Sequence, residues 1–177
     1  MQGLQPELRL TAPLPESQLS GTVSFKIDFA FPDSFLESIT LDTLRFAYSR
    51  YDRRIRIRYT IRLKKSRAIG SKTLREIRFS KKWVLYWTRD PSILERYRTN
   101  IWALGVNKDG YAEFFNDFDE AKRFLFEFSE LVTVTANELG RGESRVYAVV
   151  EARIWRHTFA EPGTLRARSN SITVHVV

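Results

Sequence analysis

The 177-residue chain is 43% hydrophobic and 14% aromatic, has no cysteine and carries a net charge of +8. The hydrophobic content excludes a disordered chain, and the absence of cysteine excludes disulfides, thiolate catalysis and cysteine-bound zinc; the length fits a single β-rich domain over residues 1–177. No apolar run approaches the ~20 residues a membrane-spanning helix needs.

The start, "MQGLQPELRL", has neither the basic n-region nor the apolar h-region of a signal peptide. Two readings follow: a cytosolic protein, or a mature exported domain whose leader is replaced by a start Met. In "TVSFKIDFAF", Val23, Phe25, Ile27, Phe29 and Phe31 share one face and Ser24, Lys26 and Asp28 the other. Such period-two alternation predicts a half-buried strand. "PDSFLESI" then predicts a short helix. "RRIRIRYTIRLKK" alternates most strictly, with Ile55, Ile57, Tyr59, Ile61 and Leu63 facing a core.

"SRAIGSK" reads as a hairpin turn into "LREIRFSKKWVLYW", where Ile77, Phe79, Trp83, Leu85 and Trp87 share a side and Lys81 is the exception. "DPSILERYR" has a cap at Asp90 and Pro91 at the first helical position, predicting a second short helix. "NKDG" reads as a turn between "IWALGV" and "YAEFF". "DFDEAKRFLFEFSELV" predicts a helix over Asp117–Val132: Asp117 and Glu120 have capping-box spacing, and Phe118, Ala121, Leu125, Phe128 and Val132 form one stripe. Phe124 and Phe126 widen its apolar surface, for burial on more than one side or for a partner. "GRGES" reads as another hairpin-like link. "RVYAVVEARIW" sets Val146, Ala148, Val150, Ala152 and Ile154 together, "FAEPGTLRARSNS" is the loosest piece with a turn at Pro162-Gly163, and "SITVHVV" is a short last strand. The expected fold is mainly β, an antiparallel β-sandwich, immunoglobulin-like or related, of about seven to nine strands, with one amphipathic helix packed on the sheet.

Motifs for chemistry are absent. His157 and His175 lack metal-ligand spacing, and there is no nucleophile elbow and no glycine-rich phosphate loop. The acids Asp117, Asp119 and Glu120 have a structural cause in the helix dipole. No catalytic residue, metal site or cofactor is expected. An enzyme would need a site assembled from residues distant in sequence.

The charge is local. Between Arg50 and Lys82 fourteen Lys and Arg stand against two acids, Asp52 and Glu76, while the rest of the chain has a slight acidic excess. Arg54, Arg56, Arg58, Arg62 and Lys64 project outward together at ~6.5–7 Å intervals, and with Arg78 of the next strand they form the candidate partner-binding face. That spacing resembles phosphates along a nucleic-acid strand, yet this strand interleaves no aromatic on its outer side. A solvated face, or one paired with acids such as Glu76, Asp28 or Glu151, is the plain alternative.

The order of a basic strand, a charged hairpin, "NKDGYAEFF", "FNDFDEAKRFL" and "GRGESRVYAVVEARI" resembles the uncharacterised bacterial domain-of-unknown-function family 4390. Phe115, Phe118, Glu120, Ala121 and Tyr147 fill the places of that family's helix start and tyrosine-bearing strand, with Asp117 in its serine position. The resemblance implies an exported β-rich domain and supplies no activity. The expectation is a non-catalytic binding or assembly module, periplasmic or secreted. It would meet a protein partner, an acidic lipid headgroup or another polyanion through the basic face or the aromatic-rich helix. The alternative is a cytosolic nucleic-acid-binding domain using residues 53–65.

Overall fold

The computed structural model describes residues 7–11, 21–32, 54–87, 101–106, 112–115, 118–155 and 163–177. The strands are β1 (Glu7–Thr11), β2 (Thr22–Ala30), β3 (Arg54–Ser66), β4 (Ser71–Trp87), β5 (Ile101–Val106), β6 (Ala112–Phe115), β7 (Glu127–Thr135), β8 (Gly142–Trp155) and β9 (Gly163–Val176). Helix α1 (Phe118–Phe126) precedes β7, and the single turn α2 (Ala136–Leu139) follows it. All strand pairings are antiparallel. A three-stranded sheet, β1-β2-β7, packs on a larger one ordered β6-β5-β4-β3-β8-β9, in which the block β4-β3-β8-β9 supplies its side of the shared core. The architecture is mainly β and sandwich-like, and the alternating apolar rows explain it. Each row buries one face and leaves the other to solvent.

Phe25, Ile27 and Phe29 from one sheet meet Ile57, Tyr59, Ile61, Val150 and Ala152 from the other, all buried. Phe29 stacks on Phe128 with ring centroids 5.0 Å apart, and Tyr59 meets Phe128 edge-on at 4.9 Å. Such pairs add about 0.5–1.5 kcal/mol each beyond the area they bury. The fully buried Tyr59 hydroxyl donates to the Leu125 carbonyl at 2.7 Å, which satisfies both groups. Burial, and secondarily the charge of Glu127, pushes its pKa well above the ordinary value.

The expected helix to Val132 stops at Phe126, and Glu127–Thr135 is strand, paired with β2 from Ala30 to Thr22. Phe126, Phe128, Val132 and Val134 are buried alternately with exposed Ser129, Leu131 and Thr133, so period two wins over the helical stripe. The β-branched run Val132–Thr135 favours the same outcome. The extra phenylalanines are absorbed internally: Phe126 is buried, and Phe124 packs against the core.

Lys81 does occupy the inward row, and its ammonium donates to the carbonyls of Phe124 and Glu127, both at 2.7 Å. A cation there complements the carbonyl end of α1. "SRAIGSK" is a true hairpin, closed by the Arg67 N–H on the Gly70 carbonyl at 3.1 Å with Gly70 at φ 74°. "GRGES" is instead part of the crossing from the small sheet to the large one through α2. There Thr135 and Glu138 form a capping box, Arg75 clamps Glu138 through both terminal nitrogens, and Lys65 donates to the Leu139 carbonyl.

The last strand begins at Gly163, well before "SITVHVV". A bulge sets Ser169 and Asn170 against Ala148 alone. The Ser169 hydroxyl takes the Ala148 N–H at 2.8 Å. Asn170 turns to the opposite sheet, where its amide accepts from the Leu10 N–H at 2.9 Å and donates to the Leu10 carbonyl at 3.1 Å. The expected helices in "PDSFLESI" (beyond Pro32) and "DPSILERYR", the "NKDG" turn, Asp117 and His157 lie outside the described residues.

Candidate functional site: the outer face of the large sheet

Because Ile57, Tyr59, Ile61 and Leu63 are buried, the residues between them must face outward. Strand β3 runs between β4 and β8, so each outward residue has two lateral neighbours. Arg56 lies between Lys82 and Trp155, Arg58 between Ser80 and Arg153, Thr60 between Arg78 and Glu151, and Arg62 between Glu76 and Val149. Half-buried Lys64 lies between Thr73 and Tyr147. Strand β9 adds Arg166 beside Glu151 and Arg168 beside Val149. The structure therefore brings Arg56, Arg58, Arg62, Lys64 and Arg78 onto one face. Arg54 is described only by its strand position opposite Val84.

Two acids interrupt the cations. Glu76 accepts from Arg62 Nε at 2.6 Å and pairs with Arg78 Nη2 at 2.5 Å. The Arg62 bond, foremost, holds the Glu76 carboxyl below its ordinary range. Glu151, whose side chain is 12% exposed, takes Arg153 Nε at 3.1 Å on one oxygen and Arg166 Nε at 2.9 Å on the other. Burial pushes its pKa up, but the two arginines outweigh that and leave it lowered. Asp28, the third acid considered as a neighbour, lies on the other sheet, where it pairs with Lys26 at 3.6 Å and accepts from Ser129. Pairs whose arginines are open to solvent contribute little to stability. Their geometric effect on the guanidiniums is the larger consequence.

Arg56 and Arg58 meet no carboxylate among the described residues. Both lie over the Trp155 ring, 4.6 and 5.4 Å from its centroid. At the other end of β8, Arg168 covers Tyr147 at 3.9 Å. Between them an open depression of about 430 Å³ is lined by Arg58, Thr60, Arg62, Arg78, Ser80, Glu151 and Arg153, with Phe79. Sequence reasoning missed Arg153, Arg166, Arg168, Tyr147 and Trp155. Three of them were implicit in "RVYAVVEARIW", since the alternation that sends Val146 to Ile154 inward sends Tyr147, Arg153 and Trp155 outward.

Among the described residues no group of His, Asp and Glu could hold a metal ion, and no helix is long and apolar enough to cross a membrane. No protein family, curated protein or solved structure matches the chain.

Proposed function

We propose that the protein is a non-catalytic binding or assembly module of the bacterial cell envelope that engages an acidic partner through the outer face of β4-β3-β8-β9. One observation carries the reading: cations from four adjacent strands converge on a surface where Glu76 and Glu151 are the acids paired with them among the described residues, exposed Glu143 standing at the far end of β8. Such a patch raises the local concentration of an anionic partner and steers its approach. The envelope setting rests on the family 4390 resemblance alone, which no family model matches, and cell fractionation tests it. Retention of the purified protein on immobilised polyglutamate and polyphosphate tests the surface. Binding at low salt that weakens steeply towards physiological salt is expected. A protein that passes unretained at low salt would overturn the reading.

A second reading, a nucleic-acid strand laid along the same face, is favoured by Trp155, a partly exposed aromatic ring in line with the cations. Titration with single-stranded oligonucleotides separates it. A loss of affinity in Trp155→Ala supports this reading, and an unchanged affinity removes it.

A further inference from the structure

The arginines around the depression are held in an unusual way. Arg62, Arg153 and Arg166 each meet their carboxylate through Nε. Their two terminal nitrogens are left without a protein partner among the described residues. A guanidinium tied at Nε has lost freedom of orientation while keeping its outer fork for another acceptor. Arg58 is fixed differently, by the Trp155 ring, and keeps all its donors. The hydroxyls of Thr60 and Ser80, at the wall of the same depression, are also without a partner among the described residues. Pre-oriented donors from Arg58, Arg62 and Arg153 thus converge on one open space, with Arg78, tied to Glu76 through Nη2, at its wall. The negative charge of Glu151 is engaged on both oxygens from the side.

We propose that this depression is a binding site for a phosphate group, free or carried on a lipid headgroup, with Glu151 and Glu76 as positioning residues that aim the arginine forks. The inference rests on the basic-face reading above and sharpens it to a ligand chemistry. A phosphate presents three acceptor oxygens in a tetrahedral array and can take forks from several directions, whereas a carboxylate presents two oxygens in one plane. Convergence from three strands therefore favours phosphate. The role of Glu151 separates this geometry from bulk charge. If charge alone mattered, removing an acid from the face would strengthen anion binding. With a positioning role, its loss frees Arg153 and Arg166 and weakens phosphate selectivity.

The test is calorimetric titration of the full chain with tripolyphosphate and, as a carboxylate control of similar charge, butanetetracarboxylate. Tripolyphosphate is expected to bind at least about tenfold more tightly, as two or more bidentate contacts imply. Arg58→Gln, which breaks no ion pair, should remove most of that affinity, and Arg153→Gln provides a second variant. Glu151→Gln should bring the ratio of the two affinities towards unity although the face becomes more positive. Vesicles containing phosphatidic acid that displace tripolyphosphate would identify a lipid-borne phosphate, and vesicles without effect a free one. Equal affinity for the two small anions, or tighter phosphate binding in Glu151→Gln, would overturn the phosphate site. The basic-face reading would survive those results if polyglutamate were still retained at low salt, and would fall with the site if no polyanion bound.

Discussion

Glu138 does three jobs with one carboxylate, and each leaves a measurable trace. It closes the capping box with Thr135, receives the Arg75 fork and so ties β4 to the turn that carries the chain between sheets. The Arg75 hydrogen bond first, and the Thr135 N–H second, hold its pKa down from 4.5 to about 2. A carboxyl depressed in the folded state contributes stability that is present above its unfolded pKa and is lost as pH falls through the folded value. The contribution of Glu138 is therefore full at neutral pH and disappears between pH 4.5 and about 2. Glu138→Gln should lower the thermal midpoint at pH 7, and the gap to the wild type should close across that window. A gap of constant size down to pH 2 would show that the clamp has no electrostatic part.

At the scale of elements, the rows of β2, β3 and β8 were legible because each keeps a strict period of two with large apolar residues. Strand β7 was misread because Phe118, Leu125, Phe128 and Val132 satisfy a helical period as well, and only pairing with β2 decides between them. Strand β9 was illegible over Gly163–Asn170 for another reason. Of its inward residues there, Leu165 is followed by Ala167 and Ser169, too small or polar to mark a face, and a bulge interrupts the alternation. That bulge is also where the two sheets are joined at one side. Asn170 supplies both a donor and an acceptor to the buried Leu10 backbone, in place of a neighbouring strand. Asn170→Ala should leave both groups unsatisfied and cost about 1–3 kcal/mol. The Leu10 amide should exchange with solvent faster, while amides of β3 and β8 keep their protection. Unchanged exchange at Leu10 would mean that β1 is held by its pairing with β2 alone.

At the scale of the whole molecule, the inward residues are committed to the core and the outward cations of the large sheet divide into two populations. The in-and-out division of "RRIRIRYTIRLKK" was readable from alternation. The division of its arginines was not, because strand order determines that Glu76 and Glu151 flank Thr60 and Arg62 while Arg56 and Arg58 meet Trp155. Paired and unpaired arginines should respond differently to charge reversal. The double variant Arg56→Glu with Arg58→Glu removes no ion pair seen among the described residues. Its folding free energy should stay within about 1 kcal/mol of wild type, the exposed cation–π contacts accounting for most of any change. Retention on polyphosphate should be lost. Arg62→Glu instead sets a third acid directly opposite Glu76 and diagonal to Glu151, so it should lower stability as well as binding. Urea midpoints and polyphosphate retention measured on both proteins separate the cases. If the double variant still binds polyphosphate at low salt, the unpaired arginines are not the contact surface and the depression beside them is not its centre.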